Sequence, residues 1–220
     1  MNKKMRLFAL LFFSFLIVYG CASKPPSQQE NICSIFEQKS SWYRLANKSS
    51  EKWGTPIHVQ MSILRQESAF QNRVKPERTK LLGVIPWTRK SSAFGYTQAI
   101  DATWDWYRDE NDKPLASRVN FADAIDFTGW YTNKSYQING IDKGDAYNQY
   151  LAYHEGHGGF KKKSYQSQSW LIDVAKKVKI RSDKYKNQLD NCEHKFQKKF
   201  LGCLLYTSDA ADEEDSVDLG

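Results

Sequence analysis

A chain of 220 residues with a formal charge of +7 is long enough for one domain with a sizeable core. The excess of bases points to an anionic partner, and a hydrophobic export signal at the N-terminus disfavours nucleic acid in that role. Neither an internal repeat nor a run of alternating strands is visible, so the pattern is that of a mainly α protein.

Lys3, Lys4 and Arg6 precede an apolar run from Leu7 to Val18 that only Ser14 interrupts, and Val18-Tyr19-Gly20-Cys21 follows. The run is too short to favour a permanent membrane span. It resembles a bacterial lipoprotein signal over residues 1–20, which implies cleavage before Cys21 and a lipid on that thiol. Ala22 after the cysteine implies the periplasmic side of the outer membrane. Residues 21–32 are polar, contain Pro25-Pro26 and are expected to be a flexible tether. At the other end, Cys203-Leu204-Leu205-Tyr206-Thr207-Ser208-Asp209-Ala210-Ala211-Asp212-Glu213 reads like a translated sequencing adapter. Residues 203–220 are therefore set aside as an artefact, leaving 33–202 as the domain. That tail holds six acids and no base, so residues 1–202 carry +13, and removing the three signal bases leaves +10. A basic, exported, membrane-tethered domain suits peptidoglycan or anionic headgroups. Of the four cysteines, Cys33 and Cys192 remain for a disulfide. Closing so long a loop is worth up to about 5 kcal/mol in the chain-entropy account.

Along the domain, Ile35, Phe36, Trp42, Tyr43, Leu45, Ala46 and Trp53 predict a first helix from Cys33 to Trp53, stopped by Gly54. Thr55 is expected as N-cap of the next helix with Pro56 at its first position. Ile57, Met61 and Leu64 share one face of that helix, and Val59 and Ile63 widen it enough for deep packing. Glu67 arrives at its C-terminal end, where apolar surroundings and the helix dipole both disfavour a negative charge. A carboxyl so placed should have a raised pKa, as a general acid needs. Gln71 to Ser92 reads as a long ordered loop with room for a short hairpin. Asp101 is expected to cap a helix with Trp104, Trp106 and Tyr107, and Asn120 one with Phe121, Ala124, Ile125, Thr128 and Tyr131. A helix from Asp145 to His154 should stop at Gly156. A last helix from Ser169 should place Trp170, Leu171, Val174, Val178, Tyr185 and Leu189 inward, with lysines opposite.

Four separated motifs carry the chemistry. They are Glu67-Ser68, Gly95-Tyr96-Thr97-Gln98, Asn120-Phe121-Ala122-Asp123-Ala124, and Ala152-Tyr153-His154-Glu155-Gly156. In this order they resemble the lysozyme-like lytic transglycosylases with a soluble-type (SLT) catalytic domain, over roughly Trp53 to Val178. The chain departs from that pattern in Tyr96-Thr97, in His154 for asparagine, in Asp123 and in the length of the loop after Phe70. The resemblance implies a mainly α, lysozyme-like domain with a catalytic cleft and little or no β-sheet. It further implies a peptidoglycan substrate, no cofactor, and Glu67 as the single acid and base. Ser68, Gly95, Tyr96, Gln98, Tyr153 and His154 are the expected substrate-binding residues. Trp87, Trp104, Trp106 and Trp130 are candidates for stacking on sugar faces. His154-Glu155-Gly156-His157 lacks the paired histidines of a zinc helix, so no metal site is expected.

Two rival readings remain open at this stage. A goose-type-lysozyme-like hydrolase would need an acid to position water, with Asp101, Asp105 and Asp123 as candidates. A glycan-binding lipoprotein without catalysis would need none.

Overall fold

The computed structural model describes residues 24–81, 85–89 and 91–208, with side chains for 24–78 and 91–197. The signal segment, Cys21 and residues 209–220 lie outside the described residues. Seven α-helices and one two-stranded ribbon make up the described fold: α1 Ile32–Gln38, α2 Ser40–Trp53, α3 Ile57–Ser68, β1 Arg78–Leu81, β2 Ile85–Arg89, α4 Asp101–Glu110, α5 Phe121–Asn139, α6 Ala146–Lys161 and α7 Ser169–Ser208. The strands pair antiparallel, Leu81 with Ile85 and Arg78 with Arg89, so the long loop does contain a hairpin. The domain is mainly α, as the sequence pattern indicates.

The helix α3 is the axle of the fold, because both of its faces are apolar. Ile57, Met61 and Leu64 enter one cluster with α1, α2, the start of α5 and the far half of α7. Val59 and Ile63 enter a second cluster with Tyr150 and Leu151 of α6 and Leu171, Ala175 and Val178 of α7. A third cluster joins Trp104 and Tyr107 of α4 to Phe127, Trp130 and Tyr131 of α5. The polar residues buried in α3 are paired. The Gln60 amide donates to Thr55 O at 2.7 Å and its oxygen accepts from Ser49 Oγ at 2.8 Å. Where α2 meets α5, a Cβ on Gly129 would lie 2.5 Å from Ser49 Oγ and 2.7 Å from Trp53 Cδ1, so only glycine allows this approach.

Several local expectations are corrected by packing. The first helix is two, since Lys39 leaves helical backbone (φ −125°, ψ 72°) just before Ser40-Ser41, whose hydroxyls compete with a helical backbone. Thr55 does not cap α3: its hydroxyl is fully buried and pairs with Thr132 Oγ1 at 2.8 Å, while Pro56 takes the cap position. An unpaired hydroxyl there would cost about 1–3 kcal/mol, which outweighs a cap. Asp101 is the first residue of α4 rather than its cap. Asn120 does cap α5, accepting from Ala122 N at 2.8 Å. Gly156 does interrupt α6 as expected, with backbone far from helical there (φ 73°, ψ 159°), and a second helical stretch then runs on to Lys161.

The tether also differs from expectation over its second half. Pro26 is buried, Ser27 bonds to Gln38, and the Gln29 amide donates to Ala69 O at 2.9 Å. Glu30 lies 3.3 Å from both Arg65 and Arg181. Its docking has a simple cause: Ala69 closes α3, and the carbonyls at a helix end need partners from outside the helix. Cys33 of α1 and Cys192 of α7 are joined by a disulfide, with Cα atoms 6.1 Å apart.

Candidate active site

The motif residues at the end of α3 are placed by an abrupt exit. Ala69 and Phe70 both take left-handed backbone (φ 50° and 58°), a conformation that costs non-glycine residues about 1–2 kcal/mol each. The turn sends the Phe70 ring into the core beside Trp42, at a centroid separation of 5.6 Å. Its burial offsets the backbone strain. Glu67 is left one residue before this exit, partly exposed into a cleft of about 540 Å³. The cleft is lined by Glu67, by Gln98, Ala99 and Ile100 after the glycine box, by Thr103 of α4, by Phe127 and Tyr131 of α5, and by Tyr153 to Gly156 of α6.

Protein encloses the Glu67 carboxyl on its inner side, and this burial pushes its pKa up to about 7 from the usual 4.5. A hydrogen bond from the Tyr150 phenol opposes the shift only in part. Tyr150 and Tyr153, one turn apart on α6, are themselves raised by burial and by the nearby Glu67 charge. The Tyr153 hydroxyl, close enough to feel the Glu67 charge, donates to Thr97 O at 2.7 Å and so ties α6 to the glycine box. Tyr150 belongs to none of the four motifs. Its i,i+3 spacing from Tyr153 is the signal that puts both on one face.

Gln98 lines the cleft while its amide braces the wall, donating to Val74 O at 3.1 Å and Gly95 O at 2.8 Å. His154 lines the cleft, about a third exposed, with Nδ1 3.2 Å from Glu155 Oε1. Three other expected contacts lie elsewhere. Ser68 is buried and its hydroxyl donates back to Leu64 O at 3.2 Å, so it faces the core and not the cleft. Tyr96 is 2% exposed and packs edge-on against Trp42 and Phe121. Gly95 (φ +74°) is not among the residues lining the cleft, and a Cβ there would lie 2.2 Å from Arg118 O. Ser68→Ala should therefore leave kcat/KM within about twofold of the parent while lowering stability by about 1 kcal/mol. Steady-state turnover and a denaturant melt of the variant check the two halves of that expectation.

The tryptophans separate in the same way. Trp104 and Trp130 are core residues. Trp106 is partly exposed, but its ring meets Trp130 edge-on and has Lys134 Nζ 5.9 Å above it. The Trp87 backbone belongs to β2, and its side chain is outside the described residues. Of the acids that a hydrolase would require, Asp101 pairs with Arg118 at 2.6 Å, Asp105 with Arg108 at 3.2 Å, and Asp123 accepts from Ser117 N at 3.0 Å. Asp101 and Asp105 line a separate groove, and none of the three lines the cleft of Glu67. The carboxylate that does is Glu155, to which the motif gave no role. Its hydrogen bonds from Ser164, His154 and Gln168 outweigh partial burial and hold its pKa below the usual range. Among the described residues no three His, Cys, Asp or Glu side chains converge to hold a metal ion.

A helical domain with a buried, proton-retaining carboxyl at the end of a central helix and an open cleft before it is the architecture of a lysozyme-like glycan-cleaving enzyme. A family model described as Transglycosylase SLT domain matches residues 9–192, and the chain belongs to that family of peptidoglycan-acting transglycosylases. A search of curated proteins gave no match.

Proposed function

We propose that the protein is a lytic transglycosylase that cleaves the β-1,4 bond between N-acetylmuramic acid and N-acetylglucosamine without water, with Glu67 as its single acid and base. The observation that carries this reading is the state of the Glu67 carboxyl, which holds its proton near neutral pH at the wall of the cleft. In the first step the Glu67 carboxyl gives its proton to the glycosidic oxygen as the bond from the muramoyl C1 breaks. The substrate's own N-acetyl group stabilises the resulting cation. Glu67, now a carboxylate, takes the proton from the muramoyl C6 hydroxyl as that oxygen bonds to C1. The 1,6-anhydro ring closes, the acid form of Glu67 is restored, and no water is consumed. An intramolecular nucleophile needs no positioned water, and proximity alone supplies much of the acceleration. The engagement of Glu155 with Ser164 and His154 supports one working carboxyl rather than two.

The export signal, Cys21 and the +10 charge of residues 21–202 support a lipid-anchored location on the periplasmic side of the outer membrane. Digestion of purified sacculi followed by mass spectrometry tests the reaction. Muropeptides one water lighter than hydrolysis products are expected. Hydrated ends alone would replace this reading with the hydrolase, and intact sacculi would replace it with the binding protein.

A further inference from the structure

The first turn of α7 contains a residue out of place for its type. The apolar spacing sends Trp170 inward, yet the indole is 54% exposed while the adjacent Leu171 is fully buried. Large aromatic side chains contribute most when covered, so an indole held in water marks a surface with something to meet. Among the described rings only that of His154 lies against it, at 5.1 Å between centroids and 80° between planes. That near-perpendicular contact covers at most one flat of the indole, and among the described residues no cation stands over either flat, unlike Trp106 with a lysine above it.

His154 is also a wall of the Glu67 cleft, so Trp170 adjoins that wall through its contact with His154. One carboxylate engages His154 and the segment that precedes Trp170. Glu155 Oε1 accepts from His154 Nδ1 at 3.2 Å, and Oε2 accepts from Ser164 Oγ. Ser164 begins the short 3-10 turn Ser164–Ser167 that leads through Gln168 into α7 and Trp170. Engaging Nδ1 leaves Nε2 as the ring nitrogen available to a ligand. An open aromatic face beside a hydrogen-bonding nitrogen matches a pyranose ring, which has an apolar C–H face and a polar hydroxyl edge.

We propose that Trp170 and His154 form a ledge for a sugar of the glycan strand remote from the scissile bond, so that the enzyme grips strands longer than the unit it cleaves. The proposal rests on the glycan-cleaving reading of the cleft. It adds a specificity element to it, since binding realised away from the reacting bond favours long strands over short ones.

Neutral N-acetylglucosamine oligomers from dimer to hexamer, titrated calorimetrically onto the full-length Glu67→Gln protein, provide the probe. Trp170→Ala in that background should weaken hexamer binding roughly fivefold to tenfold and leave the dimer unchanged. Trp170→Phe, which keeps a flat ring, should recover most of the hexamer affinity and serves as the folding control. With Glu67 intact, Trp170→Ala should raise KM on sacculi and leave kcat on short muropeptides at the parent value. Equal hexamer affinity with and without the indole would overturn the ledge, as would an equal loss for dimer and hexamer. Persistent turnover by Glu67→Gln would instead refute the acid assignment while the binding data still judge the ledge.

Discussion

Glu67→Gln should abolish turnover of sacculi, with a loss of at least about a thousandfold, because general acid catalysis alone contributes roughly 10²–10⁴ and the proposed mechanism uses this residue in both proton transfers. The amide keeps the size of the side chain and removes only its transferable proton, so the cleft should bind glycan as before. Activity of the parent should be flat on the acid side and fall as pH rises through about 7, where the Glu67 carboxyl, held protonated below that value by its burial, loses the proton needed to start the reaction. The same burial makes a stability prediction that runs in the same direction. The folded pKa lies above the usual 4.5, so the folded state binds the extra proton and stability declines as pH rises from that value to about 7. Above that range the enclosed charge weighs on the fold by up to about 3 kcal/mol. Glu67→Gln should therefore melt higher than the parent at pH 8 and together with it at pH 4. Coincident melts at both values would show that the carboxyl is solvated and the acid assignment wrong. Strain of this kind is expected where a site must hold a reactive group in an unfavourable state.

Reduction of the Cys33–Cys192 disulfide, or Cys33→Ser, should lower stability by about 2–5 kcal/mol, the effect of releasing a crosslink that spans 159 residues. For a domain of this size that is a fall in Tm of roughly 5–15 °C. The bond joins α1 to α7, and neither cysteine lines the Glu67 cleft. Reduced protein assayed well below its melting temperature should therefore retain turnover. Thermal melts with and without reductant, paired with turnover at low temperature, check both parts. An unshifted melt would mean that α1 and the docked residues Pro26 to Asn31 hold their place without the crosslink.

What the amino-acid order determined by itself was everything that depends on local period and local chemistry. Ile57, Met61 and Leu64 with Val59 and Ile63 specify a helix buried on two faces, because a 3.6-residue period fixes which side chains share a face. Asn120 specifies the start of α5, because a short polar side chain can reach the amides of its own first turn. The position of Glu67 at a helix end among apolar residues already implied a raised pKa. The four motifs in order sufficed for the family.

Tertiary structure alone decided which motif residues face the cleft and what else joins them. Ser68 follows Glu67 directly, but successive helical residues point about 100° apart, so one meets the cleft and the other the core. Thr55 left its expected cap for Thr132, 77 residues away, because a buried hydroxyl takes whichever partner the fold brings near. Tyr150 as well as Tyr153 came close to Glu67, Glu155 entered the cleft wall, Gln29 docked on the end of α3, and Trp170 turned outward beside His154. Each of these is a contact between segments far apart in the chain. Such contacts depend on how α3, α6 and α7 approach one another, and side-chain spacing within one segment carries no record of that distance.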